Sequence, residues 1–202
     1  SGPFQNYGPD PYGVVRACID HRVNYLDFAD GAAFVQGVAR FDVQARAAGV
    51  FVLAGASSFP VLTAAVLREM AKTMTIHSVT GGIAPSPHAG VGLNVLRAVL
   101  GYAGEPVALF RDGQLATGRG LAETRRVTVA PPGALPLRGT LFSLVDVPDL
   151  RAIPQAMPDI QTLWMGAGPL PEPLHRLLIG LARLRALGLL PSLAPLAPLA
   201  RL

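Results

Sequence analysis

Cysteine is nearly absent from this 202-residue chain, and the one present, Cys18, excludes an internal disulfide and fits a reducing, cytoplasmic setting. Within a helix it is expected to be a small buried hydrophobe rather than a reactive thiol. Charge is also sparse: 15% of residues are charged, and the net +4 comes from seventeen basic residues, nearly all arginine, against thirteen acidic ones. The arginines are spread along the chain, without the clustering and aromatic platforms of a nucleic-acid footprint, so no nucleic acid is expected as partner. His21, His77, His88 and His175 are scattered without ligand spacing, and no metal site is expected. No amino-terminal apolar block follows a basic lead, so no signal peptide is expected. The leucine-rich run from Leu174 to Leu190 is interrupted by Arg176, Arg183 and Arg185 and falls short of the roughly 20 clean residues of a membrane span. It reads as an amphipathic helix that packs on a domain or makes a peripheral contact with a partner or membrane surface.

Half of the chain is apolar, ample material for a core. The stretch that organises the reading is Gly49–Pro60, an apolar run of strand length, then Gly55, two hydroxyls and Pro60, then helical spacing from Val61 to Leu67. It predicts a buried strand, a tight loop and a helix, the kind of loop where open α/β sheets bind ligands. Before it, 12–22 predicts a short helix, 24–29 a strand, and 32–48 one helix ended by Gly49. This alternation is that of parallel strands with crossover helices.

From Thr73 the pattern changes. Residues 74–80 alternate as a half-solvated strand, and 81–90 read as a loop dense in glycine and proline. A helix follows over 91–102, then strands around the Asp112-Gly113 hairpin signal, a strand over 124–129, and a strand, helix and strand between Leu141 and Met165. The tail repeats Leu-Ala-Pro, which forbids a regular helix and requires packing if it is ordered. The fold class is therefore α/β then α+β, a partial Rossmann-like parallel sheet followed by a mixed or antiparallel sheet with helices on one face. The domains are 1–72, 73–170 and the helix and tail of 171–202. The exposed edge of the second sheet is a natural site for a homodimer.

Three segments, Gly2-Pro3-Phe4-Gln5-x-Tyr7-Gly8, Val23–Asp30 and Gly55–Pro60, resemble the saccharopine dehydrogenase-like family of nucleotide-dependent oxidoreductases. The resemblance extends more loosely through 85–101, 164–168 and 188–191. It implies NAD or NADP as cofactor of the full-length protein, with Gly2, Pro3, Phe4, Gly55, Ser57 and Ser58 lining its site, and a second domain carrying substrate and dimer contacts. A G-x-G-x-x-G fingerprint, which brings a pyrophosphate to a helix amino terminus, is absent; Gly90-Val91-Gly92 and Gly118-Arg119-Gly120 lack the third glycine and a suitable preceding strand. The expectation is therefore a fragment without the first Rossmann strands, inactive and without dinucleotide affinity on its own. The alternative is a stand-alone interaction or ligand-binding domain with no nucleotide dependence.

Candidate chemistry is thin. Asp27 and Asp30 bracket a strand end, where carboxylates bind a cation or relay a proton, while Asp30 before a helix also reads as a cap. His88, in a loop, can reach a cleft and titrate near neutrality. Ser57 and Ser58 stand where helix caps stand. In saccharopine reductases the corresponding loop carries an acidic residue, so their reaction does not transfer and the small-molecule substrate is open. Gly55-Ala56-Ser57-Ser58-Phe59 lacks the closing glycine of a nucleophile elbow, which argues against a hydrolase.

Overall fold

A computed structural model describes residues 8–85, 92–169 and 171–198. Two compact units emerge, one from the residues up to His77 together with Val147–Ile160, the other from Ser78–Asp146 and the residues from Gln161 onward. The fold is mixed α/β, with a two-stranded parallel sheet in the first unit and a six-stranded, largely antiparallel sheet in the second.

The first unit is built on α1 (Gly13–Asp20), β1 (Tyr25–Leu26), α2 (Ala32–Gly37), a 3-10 turn over Val38–Phe41, α3 (Asp42–Ala48), β2 (Val52–Leu53) and α4 (Thr63–Met70). α1 turns Val15 and Ile19 inward, onto Phe34, Phe41, Ala45 and Ala54. Tyr12 anchors this core: its ring stacks on Phe34 at 5.0 Å, and its hydroxyl donates to the Phe34 carbonyl at 3.3 Å. The single helix expected over 32–48 is broken by the 3-10 turn, which brings Phe41 into the core beside Tyr12. Gly49 ends α3 with φ +70°, the left-handed cap its position predicts.

β1 and β2 pair in parallel, Tyr25 with Val52 and Leu26 with Leu53. The expectation of a fully buried second strand fails. Val52 packs against the core, but Leu26 is 52% exposed, Phe28 70%, Phe51 53% and Leu53 48%. A two-stranded ribbon packed on one side leaves its other face uncovered, and the apolar residues that would be buried between two helical layers stand on it.

The second unit holds β3 (Ser78–Ile83), α5 (Leu93–Tyr102), β4 (Pro106–Arg111), β5 (Gln114–Arg119), β6 (Thr124–Val129), β7 (Leu137–Leu144), β8 (Thr162–Ala167), α7 (Glu172–Ala186) and a 3-10 turn at Ala194–Leu196. α6 (Asp149–Ala156) belongs to the first unit. β8 is central: β3 runs parallel along its whole length, while β4 pairs with it antiparallel at Leu163 and β7 at Gly166 and Ala167. The Asp112-Gly113 hairpin forms with φ of +51° and +76°, the double positive φ of a type I′ turn.

The strand expected over 74–80 lies instead at 78–83, and its glycines are part of it. A side chain on Gly81 would stand 2.5 Å from the Met165 sulfur, and one on Gly82 would stand 2.8 Å from the Phe142 ring. Glycine here admits large residues of neighbouring strands rather than ending the strand. His77, expected on the polar face of that strand, precedes it, with Nδ1 3.2 Å from the Asp159 carbonyl.

α7 is amphipathic as its pattern predicts, with His175, Ile179 and Ala182 inward. No helix among the described residues is long and apolar enough to cross a membrane. Arg185 near its end reaches the close of α5, donating to the carbonyls of Gly101 at 2.8 Å and Ala103 at 2.9 Å while pairing with Glu105. These are the carbonyls that a helix end leaves without partners. Leu193 and Ala197 of the tail are buried on the same cluster as Leu100 and Ala103, so the described part of the Leu-Ala-Pro segment is packed.

Candidate functional site

The carboxyl ends of β1 and β2 are joined through one side chain. Oδ1 of Asp27 accepts the amides of Gly55 and Ala29, each at 2.8 Å, and Oδ2 accepts the Tyr25 hydroxyl at 2.6 Å. The backbone repeats the link, since the Asp27 amide donates to the Leu53 carbonyl at 3.1 Å and the Ala56 amide to the Asp27 carbonyl at 2.8 Å. Both oxygens of this half-buried carboxylate are therefore engaged in holding two loops together. Two backbone amides are strong donors to a carboxylate, so the first role of Asp27 is to fix the loop geometry at the sheet's carboxyl edge.

Gly55 completes that geometry. Its φ is +79°, and a side chain there would approach both Val35 methyls at 3.1 Å and the Ala29 carbonyl at 3.3 Å. Only glycine lets the chain turn against α2 at this point. Beyond it the serines do not cap. Ser57 donates its hydroxyl to the Phe59 carbonyl at 2.6 Å, closing a local turn before the cis Phe59-Pro60 bond, and Ser58 is exposed. α4 begins only at Thr63, with no side-chain cap, because the turn at 58–62 delays it. Asp30 does not hold the cap position: α2 is entered through Gly31. Gly2, Pro3, Phe4 and His88 lie outside the described residues. The structure thus brings Asp27, Gly55 and Ser57 to one edge of the first unit.

Two buried polar features carried no signal in the sequence. Asp149 opens α6, whose first turn packs near the 58–62 turn, and is fully buried with neither carboxylate oxygen in a regular hydrogen bond. Burial pushes its pKa up, opposed by the nearby Thr63 hydroxyl and its own amide. In the second unit Ser143 Oγ and His175 Nε2 lie 2.5 Å apart, both fully or almost fully buried, and Nδ1 of His175 has no partner. Burial pushes the His175 pKa down, with Glu172 opposing weakly. A nucleophilic triad needs an acid to orient the imidazole and a hydroxyl open to substrate, and this pair has neither. An acid beginning a helix reads as an exposed first-turn charge, and a serine 32 residues from a histidine has no recognisable spacing.

Among the described residues no three His, Cys, Asp or Glu side chains come together as a metal cluster. A shallow depression along α1, lined by Gly13, Val14, Ala17, Cys18, His21 and Val23, is almost wholly apolar and offers little to orient a ligand.

No protein-family model matches the sequence, and no curated protein matches it. Among solved structures, apo histidine-tagged saccharopine dehydrogenase (L-Glu forming) from Saccharomyces cerevisiae shares the fold, with a TM-score of 0.50 and 16% sequence identity over 76% of this chain. At that identity the likeness is one of fold alone. The chain covers 36% of the length of that protein.

Proposed function

We propose that the chain is the later part of a saccharopine dehydrogenase-like NAD(P)-dependent oxidoreductase. The observation that carries the reading is the likeness of fold to a saccharopine dehydrogenase over 76% of the chain. The uncovered apolar face of the β1–β2 ribbon supports it, because further parallel strands and a helical layer would bury Leu26, Phe28, Phe51 and Leu53. On this reading 1–72 belong to the nucleotide domain, 73–170 form the substrate and dimerisation domain, and 171–202 close it. Gly2, Pro3, Phe4, Gly55, Ser57 and Ser58 are the cofactor-contact candidates, and Asp27, Asp30 and His88 the catalytic ones.

The described loop residues do not fit a pyrophosphate. The amides of Gly55 and Ala56, which would have to face the phosphates, are already committed to Asp27. Phosphate binding then falls to a glycine-rich loop outside this sequence, and the chain alone is expected to lack useful dinucleotide affinity. Asp27 acts first by positioning the loop. Replacing it with Asn in the full-length protein distinguishes a proton-relay role from this one: a loss of turnover far beyond the modest loosening of the loop, read by amide exchange at Gly55, requires chemistry at the carboxylate, and parallel losses indicate positioning alone. A homodimer in a cytoplasmic setting completes the proposal, and sedimentation equilibrium of the full-length protein tests its oligomeric part. A gene product that begins at this segment and binds a ligand without any nucleotide would favour a stand-alone binding domain instead.

A further inference from the structure

The large sheet carries a cationic platform that the proposed function does not use. Strand register puts Thr80 of β3, Trp164 of β8, Arg111 of β4 and Arg125 of β6 toward one face, with Glu123 just before β6 beside them, opposite to the face of Ser143. Trp164 is fully buried, and its ring lies across Gly166, where an added carbon would stand 2.4 Å from the indole. Arg125 lies over that indole, 5.0 Å from the ring centroid, and its guanidinium donates to the Thr80 hydroxyl at 3.5 Å. A guanidinium seated over a fixed indole is restrained by the ring face and keeps N–H donors beyond the one given to Thr80.

The nearby carboxylate is already taken. Glu123 Oε1 accepts Arg111 at 2.8 Å and the Trp164 indole N–H at 3.1 Å, and Gly118 makes room for its other oxygen, which would stand 2.9 Å from an added side-chain carbon. Arg125 has no ion pair among the described residues. Two guanidinium groups against one carboxylate leave a net positive charge beside a half-buried Arg125.

We infer that Arg125, seated over Trp164 and steered by Thr80, is an anchor for a small oxyanion, a carboxylate or a phosphate group. The planar fork of a guanidinium matches two oxygens of either group, and Arg111 adds long-range attraction without giving up Glu123. The site stands independently of dinucleotide binding, since it uses the second unit alone.

Trp164 is the single tryptophan of the chain, so its emission reports this site. The chain is titrated at low ionic strength with succinate, inorganic phosphate and, at matched ionic strength, sodium chloride. A saturable change with succinate or phosphate but not with chloride is expected, and which oxyanion acts identifies its source chemistry. Arg125→Gln should weaken the response at least tenfold, while Arg138→Gln, on an exposed arginine of β7, leaves it unchanged. Should Arg125→Gln unfold, Thr80→Val retains the Arg125–Trp164 pair and should still weaken the response severalfold. A response equal in chloride, no saturable response, or one unchanged in both Arg125→Gln and Thr80→Val overturns the assignment.

Discussion

Removing the Asp27 carboxylate should loosen the carboxyl edge of the β1–β2 ribbon more than any other single change in the first unit. Asp27→Ala deletes the acceptor of two amide hydrogen bonds at 2.8 Å and of the Tyr25 hydroxyl at 2.6 Å. Gly55 is buried, so its amide loses a partner where water does not readily replace it, whereas Ala29 and Tyr25 are half-buried and can be rehydrated. One orphaned buried donor plus two partly compensated charge-assisted bonds amounts to about 3 kcal/mol. Asp27→Asn keeps an oxygen for both amides and reverses only the Tyr25 bond, at a cost of about 1 kcal/mol. Because the chain has two compact units and its one tryptophan lies in the second, a single melting curve would mix them. Amide hydrogen exchange at Gly55 and Ala29 reads the effect locally. Exchange limited by local opening should accelerate roughly a hundredfold in Asp27→Ala and about fivefold in Asp27→Asn. Unchanged exchange at Gly55 in Asp27→Ala would refute the role given to this side chain.

Other expectations follow from buried and paired charge. Asp149 has a folded-state pKa above its unfolded value, so the unfolded state gives up its proton first as pH rises. Stability should fall as pH climbs from about 4 toward the folded value, and Asp149→Asn should remove this slope and raise stability at pH 7, checked by urea denaturation at several pH values. His175 is shifted downward, so the unfolded state binds a proton first on acidification, and stability should fall as pH drops below about 6.5. His175→Gln should flatten that segment of the stability–pH curve in thermal melts from pH 7 to 5. Arg185→Ala leaves the α5 carbonyls of Gly101 and Ala103 without their donor and should cost the second unit about 2 kcal/mol, read by Trp164 emission in denaturant.

Local chemistry made much of this fold legible. Asp112-Gly113 signalled a hairpin that closes as a type I′ turn, Gly49 ended its helix in the left-handed region, and the strand expected over 124–129 is β6. What the chain hid was decided across space. Gly81 and Gly82 resemble loop residues until Met165 and Phe142 are seen to occupy the room they leave. Ser57 looks like a helix cap, yet the turn at 58–62 draws its hydroxyl to Phe59 and postpones the helix to Thr63. The apolar run around Phe51 implies burial, but a ribbon covered on one side exposes every second residue. Asp27 was visible as a candidate from its place at a strand end, while its engagement with Gly55 joins positions 28 residues apart. Asp149, the Ser143–His175 pair and the Arg125–Trp164 pair depend on contacts that no spacing in the sequence encodes.

Whether this chain is the later part of a dinucleotide-dependent oxidoreductase is tested by titrating NADPH into the full-length gene product and into the present chain while following nicotinamide fluorescence. Saturable binding by the longer polypeptide and none by the 202-residue chain is the expected outcome. Tight binding by the chain alone, or none by the full-length protein with either NADH or NADPH, would contradict it.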